Sequence, residues 1–79
     1  MIALTYKGIL HNRCKSRAEP EYILIEQIGP DHSPTFLYEV QINGTMFGRG
    51  SGSSKAAAME EAARNAVAFG DQTGKFQQL

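Results

Sequence analysis

The chain has 79 residues, enough for one small domain, and a domain of this size buries only about 60% of the surface that its unfolded chain exposes. Its formal net charge is zero, which argues against a partner recognised mainly through charge, and its single cysteine excludes an internal disulfide. No apolar run approaches the roughly 20 residues that span a bilayer, and no basic and apolar leader opens the chain, so we expect an intracellular protein, cytoplasmic or nuclear, without membrane contact.

The first predicted element is a helix from about Leu4 to Lys15, which Thr5 can cap. Its apolar residues recur at i, i+3, i+4 and i+8 and define one face of a helix: Tyr6, Ile9, Leu10 and Cys14. Because Cys14 lies on this stripe, we interpret it as a small buried hydrophobe. The outward side chains are the first candidates for contact with a partner, although a solvated helix face is the commoner meaning of such spacing. They are Lys7, His11, Asn12, Lys15 and Arg17.

Three antiparallel strands are predicted next. The first runs from Tyr22 to Ile28, where β-branched and apolar residues follow one another. Residues 29–34 are turn formers and are predicted to be a loop. Apolar and polar residues then alternate from Phe36 to Ile42, and Asn43-Gly44 indicates a type I′ hairpin turn. A short third strand, Thr45–Phe47, follows the turn.

A glycine-rich run, Gly48 to Gly52, leads into the last predicted helix, because glycine lets the backbone turn tightly and approach other groups closely. Ser53 or Ser54 can cap this helix, and Gly70 is predicted to end it in a left-handed conformation. The polar segment 71–79 is expected to be a frayed tail.

Alanine-rich spacing gives the last helix a narrow apolar stripe that should pack closely on a sheet. The stripe consists of Ala58, Ala62, Ala66 and Phe69. The opposite face is polar, with Glu60 and Arg64 at the favourable i,i+4 spacing for an ion pair.

The predicted architecture is therefore a single α+β domain over residues 1–79, with its core at about residues 5–69. Its element order is α-β-β-β-α, and both helices pack on one face of a three-stranded antiparallel sheet to form a two-layer sandwich. Residues 21–44 carry acidic side chains and no Lys or Arg, so any basic surface must be assembled from the two ends of the chain.

Three segments also match a family pattern in their order and spacing: EYILIEQIGPDH, TFLYEVQINGTMFGRGSGSSK and AAMEEAARNAVAF. Together they resemble the double-stranded RNA-binding domain, especially the form at the C-terminal end of ribonuclease III and Dicer-type enzymes. The resemblance covers about Thr5 to Phe69. It implies a protein that reads duplex RNA by shape, since the RNA major groove is too narrow for side chains and the shallow minor groove displays 2′-hydroxyls.

The resemblance also implies three groups of RNA-binding residues, in the first helix, the loop between the first two strands and the start of the last helix. They are His11, Asn12 and Lys15; Pro30, Asp31 and His32; and Ser53, Ser54 and Lys55. His11-Asn12 stands where the family usually has Gln-Glu, and Lys55 is the one lysine kept from the usual Lys-Lys-x-Ala-Lys phosphate clamp, whose last position is Met59 here. The expected consequence is weakened RNA binding.

Two functions remain open at this point. The first is a non-catalytic module of an RNA-processing protein that binds A-form double-stranded RNA. The alternative is a degenerate domain of the same fold that binds a protein partner or forms a homodimer through Leu37, Glu39 and Gln41 on the outer sheet face, or through Met59 and Val67. We expect no catalytic residues, no cofactor and no metal, because no spacing puts a nucleophile beside a base and no acidic cluster could hold magnesium.

Overall fold

Residues 5–79 are the part of the chain that the computed structural model describes. The predicted order of elements is confirmed, with a short 3₁₀ helix added at the C-terminal end. The elements are α1 (Tyr6–Cys14), β1 (Glu21–Ile28), β2 (Thr35–Ile42), β3 (Thr45–Gly52), α2 (Lys55–Thr73) and the 3₁₀ helix (Lys75–Gln78). The proposed start of the first helix at Leu4 lies outside the described residues.

The first helix, α1, begins and ends at residues that satisfy its terminal backbone groups. The Thr5 hydroxyl accepts a hydrogen bond from the Gly8 N–H at 3.0 Å. Lys15 follows the helix in the left-handed region, with φ 52°, and its N–H donates to the His11 carbonyl. Leu10 and Cys14 are fully buried, as their spacing predicts.

The sheet has the order β1-β2-β3 with both neighbouring pairs antiparallel, so β2 is the central strand. Its alternation is confirmed on the inner face, where Tyr38, Val40 and Ile42 are buried. The helix α2 packs mainly on β3 and also on β2, and α1 packs on α2. The two-layer α+β sandwich with both helices on one side of the sheet is therefore confirmed.

The glycine-rich run belongs to β3, so the expected tight turn is wrong, whereas the expected close approach to other groups is confirmed. A Cβ atom at Gly48, Gly50 or Gly52 would lie 2.6, 2.1 or 2.8 Å from a backbone nitrogen of α2, and those nitrogens belong to Ala66, Ala62 and Ala58. Alternate strand residues are about 6.6 Å apart and every fourth helix residue is about 6 Å apart, so the two backbones stay in step over three contacts. Glycine is required here for close approach.

The predicted end of the last helix at Gly70 is wrong. Gly70 is a buried residue inside α2, and the left-handed cap is Gly74, with φ 73° and its N–H bonded to the Gly70 carbonyl at 2.9 Å. The segment predicted to be a frayed tail completes α2 and forms the 3₁₀ helix. Phe76 in that segment is only 9% exposed and lies against Gly70, with its ring centroid 5.5 Å from that of Phe47.

The polar face of α2 is also used differently from the prediction. Arg64 pairs with Glu61, three residues before it, and not with Glu60. The Glu60 carboxylate instead accepts hydrogen bonds from the backbone N–H groups of Tyr6 and Lys7. These are first-turn donors that have no acceptor within α1, so a side chain of α2 caps α1 and joins the two helices.

Glu39 is the buried charged residue on the outer face of the sheet. Its predicted outward direction is correct, but it is only 6% exposed, because Gln41 and Arg49 lie over it and donate hydrogen bonds to its carboxylate. These bonds, first that from Gln41 and then that from Arg49, lower the pKa of Glu39.

The lowered pKa of Glu39 leads to a prediction about acid stability. A carboxyl group with a lower pKa in the folded state stabilises the fold above its unfolded pKa, and this contribution is lost as the pH falls through the folded pKa. We expect Glu39→Gln to make the melting temperature less dependent on pH between about 6 and 3. The matched control is Glu26→Gln, an exposed carboxylate on β1. An unchanged pH profile for Glu39→Gln would contradict the prediction.

Candidate nucleic-acid interface

The start of α2 presents backbone donors toward solvent. The Ser54 hydroxyl accepts from the Ala57 N–H at 3.1 Å, and the Ser54 carbonyl accepts from the Ala58 N–H. Within residues 5–79, the N–H groups of Lys55 and Ala56 have no protein acceptor, and the first turn carries no acidic side chain. Unpaired donors at the positive end of a helix dipole are favourable for an anion such as phosphate. Ser53, Ser54 and Lys55 are all exposed there.

The loop between β1 and β2 lies at the same end of the sheet as the start of α2. Ile28 pairs with Thr35 across the loop, and Phe36 pairs with Gly52 at the end of β3. A turn closed by the Ser33 N–H on the Pro30 carbonyl, at 3.0 Å, shapes the loop. Pro30, Asp31 and His32 are exposed on it. Two of the three predicted groups therefore lie at one end of the domain.

The third group lies on α1, which runs alongside α2 in the same general direction. Glu60 joins the start of α1 to the second turn of α2, and Arg13 forms an ion pair with Asp71 near the ends of both helices, with Nε 2.9 Å from Oδ1. His11, Asn12 and Lys15 are exposed. All nine predicted RNA-binding residues are thus accessible, and their contact with RNA stays a prediction.

One of the three cations near the end of α1 is paired with a carboxylate. A shallow cavity of about 190 Å³ there is lined by Arg13, Lys15, Arg17, Asp71, Phe76 and Gln77. Hydrogen bonding with Asp71 raises the pKa of Arg13 and lowers that of Asp71, as expected for a two-point guanidinium–carboxylate contact. Arg13 therefore contributes little free positive charge to this surface.

Lys7 is the residue whose position the sequence did not reveal. It was one of several outward side chains of the predicted helix, but its Nζ atom lies 3.9 Å from Met59 Sδ on α2. The same Nζ lies 5.2 Å from the centroid of the Tyr22 ring, within range of a cation–π contact. Burial, followed by the nearby Glu60 carboxylate, raises the pKa of Tyr22 to about 12. Tyr22 is therefore an uncharged platform beneath the ammonium group.

The family described as "Double-stranded RNA binding motif" matches residues 6–69, which is most of the chain. The chain belongs to this family. The motif is similar in sequence to proteins named Ribonuclease 3, with 49% identity over 60 residues to the one from Natranaerobius thermophilus and 40% over 60 residues to the one from Treponema pallidum. These alignments cover 73% and 76% of this chain but only 26% and 23% of the two relatives, so the chain spans about a quarter of their length.

Solved structures share the fold of the motif. A structure titled as Dicer from Pichia stipitis superposes with a TM-score of 0.68 at 21% identity, covering 86% of this chain and 34% of that one, a likeness that supports the fold alone. A solution structure of both dsRBDs of DRB4 with their linker gives a TM-score of 0.58 at 32% identity, covering 87% of this chain and 44% of that one.

The described part of the motif contains neither a candidate metal site nor a candidate membrane span. Within residues 5–79, no three His, Cys, Asp or Glu side chains are grouped so that they could hold a metal ion. No helix of that part is long and apolar enough to cross a membrane.

Proposed function

We propose that this double-stranded RNA-binding motif binds A-form RNA by shape, without catalysis of its own, as one module of an RNA-processing protein. The observation that carries the proposal is the open start of α2, where unpaired N–H groups and the exposed Lys55 lie at the same end of the sheet as the exposed β1–β2 loop. A helix end of this kind suits a phosphate, and the loop and α1 offer side chains for the two flanking minor grooves.

The phosphate contact is proposed to be weaker than the family pattern implies. Lys55 is the one lysine of that pattern present on α2. The net charge of the chain is zero, so it adds no long-range attraction to RNA. Each phosphate that a protein no longer neutralises removes about 0.9 from the slope of log affinity against log salt, the figure for duplex DNA. We therefore expect a modest affinity with a shallow salt dependence.

A titration with perfect duplexes tests this function. The protein is added at low salt to a labelled RNA duplex of roughly 20 base pairs, longer than the roughly 16 base pairs that such domains span. We expect saturable binding that a DNA duplex of the same sequence and length does not compete away, because DNA lacks the 2′-hydroxyl. Equal affinity for RNA and DNA would overturn the proposal.

Single substitutions separate the phosphate contact from the groove contact. Lys55→Ala should weaken RNA binding by roughly tenfold, about the contribution of one charge-assisted hydrogen bond, and lower the salt slope by about 0.9. His32→Ala should weaken binding by up to roughly tenfold and leave the slope unchanged, because its proposed contact is with the minor groove and not with a phosphate. The measurement is a gel-shift series at several salt concentrations. Lys75→Ala, which changes the charge equally on the 3₁₀ helix, is the control and should match the wild type.

The outer face of the sheet favours one alternative function, binding to a second copy of the chain. Ile28 and Met46 are 50% and 47% exposed, and they pair with Thr35 and Gln41, which point to the same outer face as Leu37. Ile28 and Met46 lie at opposite ends of that face, and these two separate exposed side chains, rather than one contiguous patch, are what supports the alternative. Light scattering tests this alternative. A molar mass that rises with concentration in the wild type and stays at the monomer value in Met46→Glu would support it, whereas a wild type that is monomeric at all concentrations would exclude it.

A further inference from the structure

Lys7 lies beside Met59, the position on α2 at which the family pattern usually has the last lysine of its phosphate clamp. Met59 lies one turn after Lys55, so the two side chains are neighbours on one face of α2, with Cβ atoms roughly 5–6 Å apart. The Lys7 Nζ atom lies 3.9 Å from Met59 Sδ. The first helix thus brings the ammonium group of Lys7 next to the methionine that replaces this lysine on α2.

Two contacts hold Lys7 in this position. Its backbone N–H donates to the Glu60 carboxylate at 3.1 Å, which fixes the start of α1 against the second turn of α2. Its ammonium group lies 5.2 Å above the Tyr22 ring, which limits the freedom of a long side chain without neutralising its charge. Lys7 is nevertheless exposed, so the ammonium group is available to a ligand.

Within residues 5–79, no carboxylate forms an ion pair with the Lys7 ammonium group. The two Glu60 oxygens accept from backbone N–H groups of Tyr6 and Lys7 at the N-terminus of α1. A carboxylate in that place is stabilised by the helix dipole, and each of its two oxygens accepts from one of the two amides. Glu61 is paired with Arg64. Neither carboxylate is therefore an acceptor for the Lys7 ammonium group.

We propose that Lys7, placed over Tyr22 and beside Met59, is the second phosphate-binding cation of this domain and contacts the RNA backbone next to the phosphate held by Lys55. This inference rests on the proposed RNA-binding function. The basic surface would then come from both ends of the chain, because Lys7 precedes the acidic strands and Lys55 follows them.

A charge-relocation experiment tests the proposal on the full chain. Lys7→Met removes the ammonium group and keeps a flexible apolar stem over the Tyr22 ring. The double variant Lys7→Met/Met59→Lys returns the ammonium group from the α2 side. The same RNA duplex is titrated at several salt concentrations with the wild type, both variants and Lys75→Ala, and circular dichroism checks that each variant is folded.

We expect Lys7→Met to lower the salt slope by about 0.9, the double variant to restore it and Lys75→Ala to leave it unchanged. If the wild type binds RNA and Lys7→Met keeps the full slope, the second phosphate contact is overturned while the RNA-binding function stands. A slope that falls in Lys7→Met and stays low in the double variant would also overturn it, because it would indicate a structural role. If the wild type does not bind duplex RNA, both proposals fail.

Discussion

Replacing Gly50 by alanine is expected to destabilise the domain by about 3 kcal/mol or more, at or beyond the upper end of the usual cost of overpacking. The added Cβ would lie 2.1 Å from the Ala62 nitrogen and 2.5 Å from the Glu61 carbonyl carbon. Both atoms belong to the backbone of α2, so no side-chain rotation can relieve the overlap, and the helix must move away from β3. Small domains have a total stability of only about 5–15 kcal/mol. Urea denaturation followed by circular dichroism measures the loss.

The matched control for this change is Ser51→Ala on the same strand. Ser51 is exposed, so its replacement should change the free energy of unfolding by no more than about 0.5 kcal/mol. A loss below about 1 kcal/mol for Gly50→Ala would contradict close contact between β3 and α2.

Phe76→Ala is expected to cost about 3 kcal/mol, the lower end of the range for a buried phenylalanine. Its ring is 9% exposed, lies against Gly70 and packs 5.5 Å from the Phe47 ring. The family match ends at residue 69, so this contact lies beyond the part of the chain that the family pattern describes. Equilibrium denaturation of the full chain measures the effect.

Gln77→Ala is the control for Phe76, because it changes an exposed neighbour in the same 3₁₀ helix. Equal stability of the Phe76 and Gln77 variants would contradict a packed C-terminal segment. A chain ending at residue 69 should be destabilised at least as much as Phe76→Ala, since it loses the same ring together with the last turn of α2.

The strands and the start of each helix could be predicted because their signals are local. Alternation in β2 depends on residues two apart, and the capping role of Thr5 and Ser54 depends on residues three apart. The end of α2 could not be predicted in this way. A glycine near the end of a helix usually indicates a cap, but Gly70 is needed for the ring of Phe76, a contact that exists only in the folded chain.

The same limit applies to the polar residues. Glu60 has the correct spacing for an ion pair with Arg64, but two unpaired amides at the start of α1 compete for its carboxylate. Spacing along one helix carries no information about a second helix that packs beside it. Glu39 was correctly expected to point to the outer face, but its burial there depends on Arg49, which the neighbouring strand brings over it.

In the candidate site, some residues could be predicted from local sequence signals and others could not. The loop residues form one continuous segment and the start of α2 forms another, so the exposure of each follows from local turn and capping chemistry. Lys7, Tyr22 and Met59 come from three separate elements, and no spacing rule links them. One signal could have pointed to Lys7. Residues 21–44 contain no Lys or Arg, so any basic surface has to combine residues from the two ends of the chain.

The glycine contacts between β3 and α2 have a consequence for the proposed contact with an imperfect RNA duplex. The backbones of β3 and α2 approach closely at three successive glycines, so we expect α2 to be held firmly on the strand. If the proposed RNA contacts are made, we expect mismatches and bulges to be accommodated by the β1–β2 loop and the exposed side chains of α1, with the start of α2 as the fixed reference point.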